Sequence, residues 1–359
     1  MRASLSAASR RGYVPLLLGL ALCLAKPSLL SAEESADVQK QSLAQLNEGG
    51  GVGGSGSTVL PDLFTGTLQY SYPIEVPAGR KGMAPKLALR YSSHGTNGWA
   101  GYGWNLDIPY IQRQGPRKGV PTYDDAQDRF LFVSGDATIE LIPRPEWGAG
   151  YYGAKIEGGF AKFYNTNPST TGWIVTDKSG MKQWFGTTAA SRLDRASDLW
   201  WLDGDKKYRW YLNAVSDLNG NTMTFAYQKE AFYASTKGLV YNDGTFRRGM
   251  CNQIYVSRID YPNSSVIFDW EGRADGHSTF FAGFCAWMDK RLKLIEVFGD
   301  TQRLRTYRLD YDDFSNAPNQ SAYSRLKAIT QYDRNATVSA SGATWTVVGN
   351  SLRREGPIV

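Results

Sequence analysis

Residue types that usually build reactive sites are scarce in this 359-residue sequence. Only two histidines, His94 and His277, and three cysteines occur, with neither the His-x-x-x-His nor the Cys-x-x-Cys spacing of a metal site. A Gly-x-Ser-x-Gly nucleophile elbow and a phosphate-cradling Gly-Lys-Ser/Thr loop are also missing. The sequence therefore predicts no metal site, no cofactor and no catalytic residue.

Neighbouring acids are the remaining candidates for acid–base chemistry. Asp124-Asp125 and Asp312-Asp313 could in principle act on glycans as a hydrolase does. Adjacent acids on a strand point to opposite faces, however, and acids at turns usually accept backbone hydrogen bonds. These pairs therefore favour a structural role over catalysis.

The apolar run near the N-terminus is short. Residues 14–25 follow a basic start and precede the small residues Ser31-Ala32, as in a secretory signal peptide. The run is about half of the roughly 20 residues that a spanning helix needs, which disfavours a retained anchor. Leu22 disfavours lipidation of Cys23, because a small residue is expected before a lipidated cysteine. We expect a signal peptide over residues 1–32, cleavage near Ala32, export to the periplasm or the extracellular space, and no stable membrane anchor afterwards.

A strong charge of one sign is missing once this leader is set aside. The formal net charge of the whole sequence is +6. The leader holds four basic residues and no acidic ones, so its removal leaves 36 Lys and Arg against 34 Asp and Glu. A net charge of about +2 gives no basic footprint for nucleic acid, and no nucleic-acid partner is expected.

Helical periodicity is also missing from the remainder of the chain. Residues 33–58 form a polar segment with a Gly/Ser run at 49–57, which predicts a flexible, disordered linker. After it, short aromatic and β-branched segments alternate with Gly, Pro, Asn and Asp. Residues 59–359 are therefore predicted to form one large all-β, antiparallel, hairpin-rich domain, either a curved sheet or shell or a sandwich-like fold.

Two cysteines remain after the leader. Cys251 and Cys285 form an even pair in a chain expected to be exported, which makes them a candidate disulfide. The bridge would close a loop of about 35 residues. Two separate buried thiols are the alternative, because sequence does not reveal geometry.

One motif occurs twice, forty positions apart. Asp177 and Gly180 follow one predicted strand, and Asp217 and Gly220 follow another. Asp accepts backbone N–H groups at the start of a type I turn, and Gly supplies the left-handed residue that ends it. The second copy is not an EF-hand loop, because Thr222 stands where that loop needs Gly. Both copies predict hairpin turns.

Residues 62–113 carry a more specific pattern. Its parts are Pro77-Ala78-Gly79-Arg80-Lys81-Gly82, Tyr91-Ser92-Ser93 and Gly101-Tyr102-Gly103-Trp104-Asn105-Leu106. Gly79, Gly82, Gly101 and Gly103 permit positive φ and close backbone approach, and Trp104 can cover the bared backbone. In these motifs the sequence resembles the Salmonella virulence-plasmid B protein family. The resemblance continues in family order at residues 123–130, 173–186, 215–227, 258–261, 282–293, 307–311 and 324–327.

The resemblance implies a structural function. Members of this family resemble toxin-complex B subunits, in which such a domain precedes a β-propeller and tyrosine-aspartate (Rhs-type) repeats and helps to enclose a toxin. The expected partners are a propeller- or repeat-containing segment, or toxin-complex C and A subunits. The sequence ends at Val359, about where the propeller would begin, and carries a leader that shell-forming subunits commonly lack. The ADP-ribosyltransferase activity of the Salmonella protein is not expected here, because no Glu-x-Glu pair occurs.

A binding module is the alternative interpretation. The aromatic cluster Trp99, Tyr102 and Trp104 could bind sugar in a secreted adhesin, although such stripes more often pack in a core. The two hypotheses differ in whether these rings are exposed.

Overall fold

Strands make up most of the structure. The computed structural model describes residues 58–62, 67–135, 137–165, 172–195, 206–233, 250–312, 323–341 and 344–355. In chain order the strands are β1 (Thr58–Asp62), β2 (Thr67–Ile74), β3 (Leu87–Ser92), β4 (Asn97–Gly98), β5 (Gly101–Tyr102), β6 (Trp104–Leu106), β7 (Tyr110–Gln114), β8 (Arg129–Ser134), β9 (Ala137–Pro143), β10 (Tyr151–Ala154), β11 (Lys162–Asn165), β12 (Trp173–Thr176), β13 (Lys182–Phe185), β14 (Arg192–Asp194), β15 (Lys207–Ser216), β16 (Thr222–Tyr233), β17 (Met250–Tyr261), β18 (Ser264–Thr279), β19 (Ala286–Gly299), β20 (Gln302–Asp312), β21 (Arg325–Tyr332), β22 (Thr337–Ser341), β23 (Thr344–Val348) and β24 (Ser351–Glu355). Short 3-10 helices lie at Arg80–Gly82, Pro116–Lys118, Pro145–Trp147 and Ala189–Ser191. The all-β prediction is confirmed.

The described strands form four sheets. The largest has sixteen strands, β7 to β21 with β24, and the next has four in the order β1-β2-β3-β6. The pairs β4–β5 and β22–β23 are separate two-stranded sheets. Neighbouring strands pair antiparallel apart from one parallel contact, between Asn252 on β17 and Ala286 on β19.

Part of the large sheet closes on itself. β7 to β13 run in order, and β15 pairs with both β13 and β7, so that eight strands form a closed barrel. Aromatic side chains fill it: Phe130 lies 4.8 Å from Trp173, and Phe132 lies 5.4 Å from Phe163, between ring centroids. An eight-stranded barrel has an interior just wide enough for side chains. This barrel is therefore a packed core.

The remainder of the large sheet is open. β16 to β21 and then β24 continue from the barrel, with β18 reaching 16 residues. The four-stranded sheet packs against it, because Tyr72 meets Tyr307 edge to face at 6.3 Å and the Glu75 backbone N–H donates to the Tyr307 hydroxyl. One apolar cluster runs through the barrel, the open sheet and the small sheet.

The predicted linker boundary lies close to the first strand. β1 begins at Thr58, one residue before the predicted domain start at Val59. The predicted signal peptide and all of the predicted linker before Thr58 lie outside the described residues and stay predictions. No helix within the described ranges is long and apolar enough to cross a membrane.

Candidate functional site: the motif hairpin and its buried polar network

The Gly-x-Gly-Trp motif lies in a tight segment that follows β3 and contains β4, β5 and β6. We call residues 95–106 the motif hairpin. Gly101 has φ +102° and Gly103 has φ +77°. A Cβ at Gly101 would lie 2.6 Å from the Ser324 carbonyl oxygen, and one at Gly103 would lie 2.6 Å from the Tyr91 ring. Both positions therefore need glycine for conformation and for space.

The two tryptophans of this hairpin are covered. Trp104 is 1% exposed and packs against the rings of Tyr70 and Tyr91. Trp99 is 4% exposed and stacks on Tyr211 at 5.6 Å. Of the three aromatic side chains of the hairpin, only Tyr102 reaches solvent, at 44% exposure. The indoles thus act in packing, and they offer no open aromatic face for a sugar.

Tyr102 marks the outer end of the hairpin. Its ring stacks on Tyr323 at 5.0 Å, and its backbone N–H donates to the Ser324 carbonyl at 2.8 Å. The hairpin is therefore joined to the segment that leads into β21.

A buried ion pair lies behind the motif hairpin. The Arg273 Nε and the Asp275 Oδ1 are 2.8 Å apart, and the two side chains are 0% and 4% exposed. Arg273 donates to Asn97 Oδ1 and, at 2.9 Å, to the Gly98 carbonyl. The Asn97 amide in turn donates to Asp275 at 2.8 Å. A polar network thus fixes the hairpin to β18.

Asp275 also accepts hydrogen bonds from Ser324. The Ser324 backbone N–H and hydroxyl donate to the two Asp275 oxygens at 2.7 and 2.5 Å. Burial by itself would raise the pKa of Asp275, but the hydrogen bonds from Arg273 and Ser324 outweigh it and hold that pKa well below its ordinary value. Asp275 is therefore a carboxylate whose charge is matched inside the fold.

His277 borders the same network. Its Nδ1 lies 3.5 Å from the Asn97 amide nitrogen. Burial, followed by the charge of Arg273, lowers the pKa of His277, so the neutral ring is favoured at neutral pH. The charges of the network balance each other, as expected of contacts that hold the motif hairpin on β18.

The backbone also packs closely in the Pro-x-Gly-Arg-x-Gly connection (residues 77–82). A Cβ at Gly79 would lie 2.3 Å from the Met83 carbonyl oxygen, and Gly82 has φ +79°. Lys81 donates to the Asn219 side chain at 3.1 Å. The Tyr261 hydroxyl donates to the Pro77 carbonyl at 3.0 Å, which ties the connection to β17.

The two Asp-x-x-Gly copies form similar turns. Asp177 Oδ1 accepts the backbone N–H groups of Ser179 and Met181, and Asp217 Oδ1 accepts those of Asn219 and Asn221. The glycines have φ +84° at Gly180 and +77° at Gly220.

These turns join β12 to β13 and β15 to β16, and β13 pairs with β15. The turns therefore lie side by side. A Cβ at Gly180 would lie 2.9 Å from Leu218 Cδ2.

Three of the four acids considered for hydrolysis take part in local structural contacts. Asp125 lies 2.5 Å from the buried guanidinium of Arg113, which also meets Asp128 at 3.1 Å. Asp124 accepts the Ala126 backbone N–H and the Gln127 amide, which lowers its pKa. Asp312 pairs with Lys327 at 3.0 Å. Asp313 lies outside the described residues.

Metal-ligating side chains do not converge in the part of the chain that the structure describes, where no group of three or more His, Cys, Asp or Glu could hold an ion. His94 instead hydrogen bonds Thr67 at 2.5 Å.

Sequence reasoning missed the residues that hold the motif hairpin. Asn97, Arg273, Asp275 and Ser324 were not identified, although Arg273-x-Asp275-x-His277 alternates along one side of a strand. That alternation of charged residues was the available signal.

Comparison with known proteins identifies the family to which this chain belongs. Residues 63–271 match the family described as Salmonella virulence plasmid 65kDa B protein, which is more than half of the chain. The chain belongs to this family. The predicted resemblance is confirmed.

Curated members of the virulence plasmid B family are longer. Mono(ADP-ribosyl)transferase SpvB of Salmonella typhimurium (strain 14028s / SGSC 2262) and that of Salmonella dublin are each 31% identical over 225 residues. The match covers 57% of this chain and 36% of each relative. The chain thus spans about a third of the length of these relatives.

Solved structures share the fold. The N-terminal domain of effector protein SpvB from Salmonella typhimurium strain LT2 matches with TM-score 0.54 and 19% identity, over 78% of this chain and 99% of that domain. The TcdB2-TccC3 crystal structure matches with TM-score 0.59 and 18% identity, over 83% of this chain and 17% of that one. The Photorhabdus luminescens Tc holotoxin pore matches with TM-score 0.60 and 18% identity, over 83% and 16%.

The virulence plasmid B match includes only part of the polar network. Asn97 lies within residues 63–271, whereas Arg273, Asp275 and Ser324 follow that range. The network therefore joins Asn97, inside the matched region, to residues that follow that region.

Proposed function

We propose that this chain is a non-enzymatic structural and assembly module of a secreted, toxin-complex-like or Rhs-type virulence protein, forming part of a β shell that encloses or presents a toxin. The observation that carries the proposal is the fold: 83% of the chain follows one part of the TcdB2-TccC3 structure. Fold alone does not establish function, so the proposal also depends on the chemistry of the described residues.

The side-chain packing inside the barrel supports a role as part of the wall of a shell. The closed barrel is filled by its own aromatic side chains, so the enclosed space would lie beside this module and be bounded by its sheets. Closure also removes sheet edges, which would otherwise pair with an unfolded cargo.

The ion pairs support a role without catalysis. Among the described residues, the buried arginines Arg113, Arg273 and Arg291 each pair with at least one carboxylate inside the fold. The printed name of the SpvB relatives is that of an ADP-ribosyltransferase, but the structural match is to the N-terminal domain of SpvB. We assign no transferase activity to these residues.

Protein partners follow from the same comparison, because TcdB2-TccC3 and the Tc holotoxin pore are assemblies. The proposed partners are a propeller- or repeat-containing segment, or toxin-complex C and A subunits. No nucleic-acid partner is proposed.

Export remains part of the proposal, with residues 1–32 as the signal peptide. The mature chain would begin at Glu33, and it would have no membrane anchor.

A Cys251–Cys285 bridge would suit the exported state. Asn252 and Ala286, the next residues along, pair in parallel, and the Asn252 backbone N–H donates to the Cys285 carbonyl at 3.2 Å. Cys285 is buried. This register supports Cys251 as its partner, since adjacent strands bring such positions within disulfide range.

The test is purification of the tagged chain from its native producer under mild cross-linking. We expect a particle well above the 39.8 kDa of the chain, containing a propeller- or repeat-bearing polypeptide identified by mass spectrometry. A matched preparation from a strain lacking the neighbouring downstream gene should release the free chain. A monodisperse, partnerless monomer in both strains would contradict the proposal.

A further inference from the structure

One face of the open sheet is covered by the β22–β23 hairpin. Leu294, Tyr332, Ala336 and Val347 form a separate apolar cluster there, with Val338 packed against it. Leu294 lies on β19 and Tyr332 on β21, whereas Val347 lies on β23. The hairpin is therefore held partly by this small apolar contact.

Two carboxyl groups lie beside that cluster. Glu296 on β19 pairs with Ile267 on β18, and Asp269 pairs with Leu294, so the two acids are diagonal neighbours on one face. The Asp269 carboxyl is within hydrogen-bonding reach of the Glu296 carboxyl.

Several buried polar atoms around this pair have no hydrogen-bond partner. The buried Asp269 Oδ2 has no hydrogen-bond partner, and neither do the hydroxyls of Thr306 and Thr330. Thr306 lies directly opposite Glu296 in the pairing of β19 with β20. Two carboxylates in contact at a buried position repel each other, and a single shared proton removes the repulsion.

Arg303 connects the acid pair to the hairpin. Its Nη2 lies 2.6 Å from Glu296 Oε2, and its Nη1 donates to the Ala336 carbonyl at 3.0 Å. Ala336 directly precedes β22. Any change in the charge of the pair is therefore transmitted to the residue from which the hairpin starts.

We propose that Asp269 and Glu296 share one proton and form a pH-sensitive contact. This contact holds the β22–β23 hairpin on the open sheet in acid and weakens at neutral pH.

The direction follows from burial and charge. Burial, followed by the charge of Glu296 and the hydrogen bond to it, raises the pKa of Asp269 to about 6, while Arg303 acts against this. Because the closed state holds the proton more tightly than an opened one, closure is favoured below this pKa and weakens as pH rises through it.

Charged groups also lie on the surrounding elements. Arg258 pairs with Asp260 on β17, Arg308 pairs with Asp310 on β20, the Asp333 carboxylate accepts the Asn335 backbone N–H, and Arg354 on β24 lies opposite Thr330.

The test is backbone hydrogen exchange of the full chain at pH 5 and pH 7.5, corrected for the intrinsic exchange rate. Protection of the Ser339 and Thr346 amides, which pair across the hairpin, should fall about ten-fold between these pH values in the unsubstituted protein, as expected for a group titrating near pH 6. In Asp269→Asn the ten-fold dependence should vanish. The control is Asp260→Asn, a neighbouring exposed acid, which should keep it.

Equal protection at both pH values in the unsubstituted protein, or an unchanged ten-fold dependence in Asp269→Asn, would overturn the proposal. A second measurement does not depend on a variant folding. With ¹³C-labelled aspartate, one carboxyl carbon should titrate near pH 6, and its absence would also overturn the proposal.

Discussion

At the scale of single residues, the buried charge of Asp275 is balanced by its neighbours. Asp275 has Arg273, Asn97 and Ser324 as partners, and together they join β18, β4 and the segment that leads into β21. Removing one member of a buried ion pair leaves the other charge without a counterpart, which is more costly than the pair itself is stabilising. The network thus makes the position of the motif hairpin specific.

Asp275→Asn is expected to destabilise the protein by roughly 3 kcal/mol at pH 7, because Arg273 keeps its buried charge and loses its anionic partner. The lowered pKa of Asp275 means that its contribution is present above the unfolded-state pKa and is lost as pH falls through the folded-state value. Urea midpoints should therefore differ from the parent's at pH 7 and approach them in strong acid. The exposed pair Arg258–Asp260 supplies the control, since Asp260→Asn should shift the midpoint little. A full-sized deficit that persists below the pKa of Asp275 would contradict this account.

At the scale of elements, turns and bulges decide how the strands meet. Asp177 and Asp217 each organise a four-residue turn whose last residue is a left-handed glycine. In β18, register shifts occur at Asp269/Trp270 and between Gly272 and His277. The second shift bends the segment that carries Arg273 and Asp275 towards the motif hairpin, since a bulge re-aims the side chains next to it.

The paired turns provide a matched comparison. Gly180→Ala and Gly220→Ala should each cost about 1 kcal/mol, because both backbones have positive φ. Gly180→Ala should cost more, since its new Cβ would press on Leu218 whereas nothing lies within 4 Å at Gly220. Adding Leu218→Ala to Gly180→Ala should remove that excess. Urea-unfolding midpoints measure all three variants, and an excess that survives loss of the Leu218 side chain would show that contact to be irrelevant.

At the scale of the whole molecule, one continuous core joins the barrel, the open sheet and the small sheet. The barrel has no free edge, whereas the open sheet continues from it to β24. This combination is consistent with the proposed role in a shell wall, in which the closed barrel supports the open sheet.

The proposed disulfide is tested on the exported protein. If Cys251 and Cys285 are bridged, replacing both with serine should lower the free energy of unfolding by about 3 to 4 kcal/mol, because a loop of roughly 35 residues is no longer closed in the unfolded state. Thiol quantification under denaturing conditions should find no free thiol before reduction and two after it. Cys23→Ser is the control, since cleavage of the proposed leader would remove Cys23. Two free thiols before reduction would refute the bridge.

The sequence by itself determined the strand-rich fold, the family and the turn segments. Turn chemistry acts within four or five residues, so Asp177 with Gly180 and Asp217 with Gly220 are readable locally. Tertiary structure decided what is far apart in the chain: the pairing of β13 with β15 that closes the barrel, the burial of Trp99 and Trp104, and the meeting of Asn97 with Arg273 across 176 positions. Such contacts depend on which surfaces pack together, and local periodicity carries no information about that partner choice.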